Sequence, residues 1–435
     1  MGVEVVVGGL SKSFGAQTIW RDVSLTLPTG EISVLLGPSG TGKSVFLKSL
    51  VGLLKPEQGE VVIDGTDICT CSESDLYEVR KLFGVLFQDG ALFGSMNLFD
   101  NIAFPLREHT RKTESQVRDV VLEKMEMVGL IGAEDKLPGE ISGGMRKRAG
   151  LARALVLDPE IVLFDEPDSG LDPVRTALLN QLIVDLNAQT DATFLIVTHD
   201  INTARTVPDN IGMLYRRNLV MFGPREVLLT SDEKAVVQFL NGRPEGPIGM
   251  TEEKDSALVE AELAKNGATS AVPPMMSQLE VTPGLPQRAA VRRRKDRVLN
   301  QLRNLSPTAQ EEILKSLSPE ELALYGYQAP ATGGWPQGTP QRPPQGQQHG
   351  QQGQPQGQQG QRPQGQQPQQ QSAPPQQPQR PAGPPAPPPA QQGQPTPYPR
   401  GQQPDEPAWP GGLQPEEGES DEPKKRWFGR KRGEQ

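Results

Sequence analysis

The sequence predicts an α/β fold with a largely parallel sheet, and three observations support this prediction. Apolar runs typical of strands alternate with helical patterns, a glycine-rich loop joins one such strand to a helix, and apolar residues are concentrated before residue 241. Buried strands separated by helices are typical of a parallel sheet that is covered on both faces. The predicted strands lie at 3–8, 31–36, 60–63, 83–87, 161–164, 193–197 and 211–214. The predicted helices lie near 43–53, 114–129, 143–157, 173–187, 200–206 and 233–240.

Proline divides the chain into two parts. Of its 43 prolines, 25 lie within 330–435, where Leu413 and Phe428 are the sole members of the Ile, Val, Leu, Met and Phe set. So little apolar surface cannot offset the conformational entropy that is lost on folding. We therefore expect a disordered Pro/Gln/Gly-rich tail at 329–435 and a main domain at 1–240, which has ordinary apolar content.

The region between these two parts carries weaker signals. We expect an extension and linker at 241–290, with one helix at 251–266, and then a small helical segment at 291–328. Ser306 and Ser318 are each followed by proline, and they are expected to cap two short helices. This segment has two open interpretations, since it could dock another protein or serve as a plain helical spacer.

Charge, hydropathy and cysteine content exclude several classes of protein. The chain has 53 acidic and 44 basic residues and a net charge of −9, so the overall charge gives no sign of a nucleic-acid-binding surface. No apolar run reaches the length needed to span a membrane. Cys69 and Cys71 form neither a zinc pattern nor a disulfide framework, and we expect ordinary reduced cysteines.

A glycine-rich loop follows the predicted strand at 31–36 and begins the next helix. Its residues are Gly37, Pro38, Ser39, Gly40, Thr41, Gly42, Lys43 and Ser44. They match the phosphate-loop pattern G-x-x-x-x-G-K-[ST], in which glycines let backbone N–H groups point at phosphate oxygens. Lys43 can then reach the β- and γ-phosphates, and Ser44 can bind Mg²⁺. The loop therefore predicts a site for ATP with Mg²⁺.

A second apolar strand, at 161–164, ends in two carboxylates. Asp165 can hold Mg²⁺ directly or through water, and Glu166 can face the γ-phosphate and polarise the attacking water. Taken alone, the pattern is equally typical of an ordinary strand end. The phosphate loop in the same chain favours the catalytic interpretation.

A second anion-binding helix start lies between these two motifs. Ser142, Gly143 and Gly144 come directly before a basic helix, and the N-terminus of such a helix can bind phosphate. One nucleotide needs one phosphate loop. We therefore expect this second site to cover the γ-phosphate of an ATP that is bound by another subunit.

The order of these motifs resembles the ATPase of ATP-binding-cassette (ABC) transporters over about residues 3–240. The resemblance implies a RecA-like α/β core, an antiparallel β subdomain and a helical subdomain at about 89–157. Gln88 matches the residue that senses Mg²⁺ and the attacking water and moves with the permease. Asp172 matches the residue that couples two ATP sites.

Two further residues gain roles from the same resemblance. His199 matches the switch histidine that contacts the γ-phosphate, and Phe14 matches the aromatic residue that stacks on adenine. From the residues alone, His199 could equally be a turn histidine and Phe14 a core residue. Their order and spacing relative to the other motifs favour the functional roles.

A narrower group shares Met145, which stands where ABC ATPases usually have glutamine. Stretches at 87–93, 96–110, 137–148 and 238–248 resemble the ATPases of Mla and Mce (mammalian cell entry) lipid-transport systems, most of all the actinobacterial, mycobacterial-type Mce ATPase. The resemblance implies an ATP-hydrolysing homodimer at the cytoplasmic face of the inner membrane. It would power a separate Mce- or Mla-type permease that moves lipid, without touching nucleic acid or the lipid itself. The alternatives are an importer ATPase for another solute and an ABC ATPase without a transport role.

Two stretches outside the motifs carry separate expectations. The run 292–295 is strongly basic, which is usually typical of a solvated helix face. In the resembling Mla ATPase, a C-terminal extension reaches across to the other subunit. The resemblance implies the same for 238–250, where Phe239, Leu240 and Ile248 need a surface to cover.

Overall fold

A computed structural model describes residues 2–249 and 275–327, and the expected helix at 251–266 and tail at 329–435 lie outside them. The strands are β1 (Val5–Phe14), β2 (Gln17–Leu27), β3 (Ile32–Leu36), β4 (Gln58–Ile63), β5 (Thr66–Asp67), β6 (Phe83–Leu86), β7 (Ile161–Asp165), β8 (Thr193–Val197), β9 (Asn210–Tyr215) and β10 (Asn218–Pro224). The helices of the main domain are α1 (Lys43–Leu50), α2 (Glu73–Arg80), α3 (Leu98–His109), α4 (Glu114–Met127), α5 (Gly143–Leu155), α6 (Pro173–Thr190), α7 (Ile201–Thr206), α8 (Arg225–Leu229) and α9 (Lys234–Asn241). Three more follow, namely α10 (Ala289–Gln301), α11 (Pro307–Lys315) and α12 (Pro319–Leu324).

The larger sheet has the strand order β10-β9-β3-β8-β7-β6. Neighbouring strands from β9 to β6 are parallel, and β10 pairs antiparallel at the edge. Every residue of β3 and β8 is buried, because helices cover one face of this sheet while α1 and the smaller sheet cover the other. Parallel strands end at the same edge of a sheet. The segments that follow β3, β7 and β8 therefore meet there, and these segments carry the predicted catalytic residues.

The smaller sheet is antiparallel, with the order β2-β1-β4-β5. Trp20 of β2 is fully buried, and its ring packs edge-on against Phe46 of α1 at 6.1 Å between centroids. This contact fixes the smaller sheet against the helix that begins at the phosphate loop. Helices α3, α4 and α5 pack together as a separate helical layer. The predicted α/β fold with an antiparallel β subdomain and a helical subdomain is confirmed.

The C-terminal segment differs from the sequence expectation because it packs on the main domain. Helix α10 begins at Ala289, two residues before the expected start of the helical segment, and its Arg294 is 2% exposed. The stretch before it was expected to be a linker, but Leu279 donates its N–H to the carbonyl of Thr206, and Gln278 donates to the carbonyl of Val207. The basic run 292–295 is thus not a wholly solvated face.

Buried carboxylates of the main domain explain this packing. Asp209 is fully buried and accepts hydrogen bonds from Arg288 and, at 2.9 Å, from Nη1 of Arg294. Burial acts to raise the pKa of Asp209, but the charges of Arg288 and Arg294 hold that pKa below its ordinary value. Glu31 is also fully buried, and Arg297 donates to it. Helix α10 and the residue before it therefore neutralise two carboxylates that the main domain buries.

The segment at 238–249 folds onto its own domain, so the surface it needs is supplied within one chain. The side chain of Gln238 accepts from the N–H of Ile248 and donates to its carbonyl, at 2.7 and 3.0 Å. The hydroxyl of Tyr215 donates to the carbonyl of Pro247 at 2.6 Å. Leu240 is 3% exposed in α9, and Phe239 and Ile248 pack against the same core. Contacts within one chain therefore cover these residues, and the expectation that 238–250 reaches across to a second subunit stays a prediction.

The buried charges of α10 give a test of this packing. Arg294→Met is expected to lower the free energy of unfolding by about 3–5 kcal/mol, because it leaves Asp209 buried with one of its two cationic partners missing. Arg292→Met on the same helix is the control, since Arg292 is exposed and its loss should cost less than about 0.5 kcal/mol. Urea unfolding of both variants measures the difference. Equal stabilities would contradict the contribution assigned to this cluster.

Candidate nucleotide site

The phosphate loop lies directly after β3 and ends in α1, as its pattern predicts. Gly42 caps α1 with φ +86°, and a Cβ there would lie 2.3 Å from Cγ2 of Ile19. Both the left-handed backbone and the close approach therefore require glycine at this position. The loop therefore packs closely against Ile19 and Trp20 of β2 at this position.

Lys43 is 5% exposed and is held inside the loop that it would serve. Its Nζ donates to the carbonyls of Gly37 and Pro38, at 2.8 and 3.1 Å. Burial lowers the pKa of Lys43, and the charges of Glu166 and Asp165 oppose that shift. Neutral carbonyls are weaker partners for an ammonium group than anionic oxygens are. Phosphate oxygens can therefore replace them, and the loop fits a nucleotide phosphate.

A hydrogen bond joins the phosphate loop to the acidic strand end. Ser44 Oγ donates to Asp165 Oδ1 at 2.8 Å, across 121 residues of sequence. A hydroxyl and a carboxylate oxygen are the hard ligands that Mg²⁺ takes, usually together with substrate phosphates. Among residues 2–249 and 275–327, no cluster of three His, Cys, Asp or Glu side chains could hold a metal ion. A cation bound here would thus need oxygens from the nucleotide as well.

Glu166 and His199 come from two neighbouring strand ends and face each other. His199 Nδ1 lies 3.4 Å from Glu166 Oε1. Glu166 has φ +47°, in the left-handed region that costs energy for a residue with a Cβ. Its N–H donates to the carbonyl of Val197 at 2.9 Å, which helps to hold this backbone. The structure therefore places Glu166 beside His199, with its carboxylate 20% exposed at the sheet edge.

The remaining predicted residues surround this centre. Gln88 Nε2 donates to Ser169 Oγ at 3.1 Å, so the segment after β6 contacts the loop after β7. Asp172 caps α6 by accepting from two backbone N–H groups, at 3.0 and 3.1 Å. Phe14 is 47% exposed at the end of β1, with Lys12 Nζ 5.2 Å from its ring centroid. The alternative that Phe14 is a core residue is therefore wrong.

Ser142 and Gly144 lie at the start of α5, which is a different element from the helix that follows the phosphate loop. Ser142 Oγ accepts from Met145 N at 3.3 Å, which caps the helix. The hydrogen bonds that the described residues give Ser142 stay within α5, and none joins it to the loop at 37–44 of the same chain. The structure therefore places the predicted anion-binding residues at the start of α5, and their binding of an anion stays a prediction.

Two residues near the site were missed by the sequence reasoning. Lys147 on α5 and Asp168 in the loop that carries Glu166 are both buried; Lys147 donates to a carbonyl of this loop, and Asp168 accepts from the hydroxyl of Thr198. Asp168 stands two residues after the acidic pair, so a third acid in that run was an available signal. Lys147 was hidden in a basic helix, where nothing local separates a buried lysine from a solvated one.

Comparisons with known proteins establish the family. The family model described as "ABC transporter" matches residues 20–169. The probable ribonucleotide transport ATP-binding protein Mkl of Mycobacterium tuberculosis (strain ATCC 25618 / H37Rv) is 67% identical over 323 residues, which cover 73% of this chain and 90% of that protein. The chain belongs to the ATP-binding subunits of ABC transporters. Among them it is an ABC ATPase of the Mla/Mkl family, as the resemblance predicted.

Two more relatives support the assignment of the chain to this family. Mkl of Mycobacterium leprae (strain TN) is 66% identical over 338 residues, covering 76% of this chain and 95% of that protein. The intermembrane phospholipid transport system ATP-binding protein MlaF of Haemophilus influenzae is 44% identical over 244 residues, covering 56% of this chain and 92% of that protein. The chain is thus an ATP-binding, ATP-hydrolysing subunit of a transport system. Within the two described stretches, no helix is both long enough and apolar enough to cross a bilayer.

The position of Glu166 in this ABC ATPase gives a second test. Glu166→Gln is expected to lower ATP turnover about 10²–10⁴-fold while leaving ATP affinity within about twofold, because the amide keeps the shape but cannot take a proton from water. The matched control is Glu160→Gln, which makes the same change before the start of the same strand. Turnover and nucleotide binding are measured on the same preparations. Normal turnover in Glu166→Gln would overturn the role assigned to Glu166.

Proposed function

We propose that this ATPase powers a lipid transporter of the Mce/Mla class, as a homodimer bound to a separate membrane permease. One observation carries the dimer. A single chain holds two phosphate-binding helix starts, at Lys43 and at Gly143, and its fold keeps them on separate elements. Each ATP then lies between the phosphate loop of one subunit and Ser142 and Gly144 of the other. Closure of the dimer on ATP is the step that moves the permease.

Residues of one subunit supply most contacts to the nucleotide in this proposal. Phe14 stacks on the adenine, and Lys43 with the loop N–H groups binds the phosphates. Ser44, Asp165 and Gln88 would hold Mg²⁺, and the ion would supply positive charge beside the phosphates. The hydrogen bond between Ser44 and Asp165 supports this set of ligands, because it places their two oxygens 2.8 Å apart, close enough to contact the same ion.

Hydrolysis follows from the residues at the strand ends. Glu166 orients and deprotonates the attacking water, and His199 beside it contacts the γ-phosphate. Gln88 links this centre to the permease, because its hydrogen bond to Ser169 connects the segment at 89–107 with the loop after Glu166. Asp172 at the start of α6 couples the two sites across the dimer.

The lipid class rests on the relatives and on stretches outside the catalytic motifs. MlaF of Haemophilus influenzae, named for phospholipid transport, matches over 92% of its own length. The stretches at 87–93, 96–110, 137–148 and 238–248 resemble Mla and Mce ATPases. The protein would then sit at the cytoplasmic face of the inner membrane through its permease, and its own residues need not touch the lipid. Ribonucleotide transport is the second candidate, because the more similar Mkl proteins carry that name.

Co-purification and transport decide between the two cargo classes. The full-length chain, tagged and extracted from membranes in mild detergent, is expected to bring a permease and Mce-domain proteins with it. Reconstituted in phospholipid vesicles, that complex should move a labelled lipid in an ATP-dependent manner and leave a labelled ribonucleotide behind. The same complex with Glu166→Gln is the control for coupling. Ribonucleotide movement, or a polar-solute-binding protein as the co-purifying partner, would contradict the lipid assignment.

A further inference from the structure

Lys147 lies on the buried face of α5, close to the Ser142 cap. It is 4% exposed, and burial lowers its pKa, against the charges of Asp168, Asp89 and Glu166. A buried ammonium group is costly unless each of its three N–H donors finds an acceptor. Nζ of Lys147 meets this demand with the carbonyls of Pro167 and Ser169, at 2.8 and 2.6 Å, and that of Glu166 at 3.3 Å.

All three acceptors belong to one short loop, the loop at 166–169 that follows β7. These bonds join α5 to the main chain of the loop, and none of them uses a side chain of it. Within the loop, the N–H of Ser169 donates to the carbonyl of Glu166 at 3.1 Å, and the loop begins with the strained left-handed backbone of Glu166. Lys147 therefore supplies an external constraint at the position where the catalytic carboxylate is set.

Asp168 fixes the other side of the same loop. It is 7% exposed, and its Oδ2 accepts from the hydroxyls of Thr198 and Thr203, at 2.5 and 3.1 Å. Asn180 of α6 donates to Thr203 in turn, at 3.1 Å. Thr198 directly precedes His199. The loop is thus held between Lys147 on one side and the segment that carries the switch histidine on the other.

We infer that Lys147 is a positioning residue for ATP hydrolysis, which sets the Glu166 carboxylate against His199 by holding the loop at 166–169 on α5. The inference rests on the proposed catalytic role of Glu166 and on the contacts within one chain. Within the proposed dimer it has a consequence. Ser142 caps the start of α5, and Lys147 lies on the same helix. When α5 of one subunit contacts the ATP of the partner, a movement of α5 would therefore be transmitted through Lys147 to the loop at 166–169 of its own subunit.

Kinetics of three variants test this inference on the complex that co-purifies with the full-length chain. Lys147→Met keeps an unbranched side chain that is one atom shorter, and it removes all three donors. It should lower kcat at least tenfold, with KM for ATP and the Kd of a non-hydrolysable ATP analogue within twofold of the parent. Lys147→Gln keeps two N–H donors on a shorter side chain. Its kcat should lie between that of the parent and that of Lys147→Met.

Arg148→Met is the matched control. Arg148 lies next to Lys147 on α5 and also donates to main-chain carbonyls, those of Val128 and Gly129, but these lie at the end of α4, remote in sequence from the catalytic loop. Its kcat should stay within twofold of the parent, even if its melting temperature falls as far as that of Lys147→Met. This comparison separates positioning of the loop from a general loss of stability.

Changes in kcat, ATP affinity and melting temperature together decide the test. A selective loss of kcat in Lys147→Met, partly restored in Lys147→Gln, supports the inference. A kcat of Lys147→Met within twofold of the parent overturns the inference. It is also overturned if kcat, ATP affinity and melting temperature all fall together in Lys147→Met and fall in the same way in Arg148→Met. If Lys147→Met fails to fold, Lys147→Gln decides on the same criteria. A wrong lipid assignment would leave these ATPase measurements unchanged, and a wrong role for Glu166 would appear separately as normal turnover in Glu166→Gln.

Discussion

The hydrogen bond between Ser44 and Asp165 shows the constraint on which the site depends. It exists because β3, β8 and β7 run parallel and in register, so that their carboxyl ends lie side by side. The predicted phosphate loop follows β3, the acidic pair stands at the end of β7, and β8 leads into Thr198 and His199. Packing on both faces buries β3 and β8 completely and β7 up to Phe164, which keeps the three ends from shifting relative to one another.

The opposite edge of the same sheet serves a different purpose. Glu31 and Asp209 each come directly before a parallel strand, β3 and β9, and both are fully buried. Two carboxylates in the interior are costly unless cations pair with them. The arginines at 288, 294 and 297 provide that pairing from the C-terminal segment. The carboxyl ends of the strands therefore carry the predicted catalytic residues, and the amino ends bind the chain's own C-terminal segment.

The sequence predicted those parts of the site that have a local cause. The phosphate loop and the Ser142 cap each depend on residues within a few positions, and the α/β order follows from alternating apolar patterns. Interactions between distant residues could not be predicted in this way. Nothing near Arg294 shows that it will meet Asp209, 85 residues earlier, and nothing near Lys147 shows that its acceptors lie 19 to 22 residues later. The same holds for the segment at 238–249, because no nearby residue shows that Tyr215 of an earlier strand will donate to the carbonyl of Pro247.

The most direct test of the central claim is a double-mutant cycle on the Mg²⁺ dependence of ATP affinity. The parent, Ser44→Ala, Asp165→Asn and the double variant are compared by the factor by which Mg²⁺ tightens ATP binding. If Ser44 and Asp165 hold one cation beside the phosphates, each single change should remove nearly the whole factor, and the double variant should lose little more. Losses that multiply, as they do for independent residues, would contradict a shared site at the meeting point of β3 and β7.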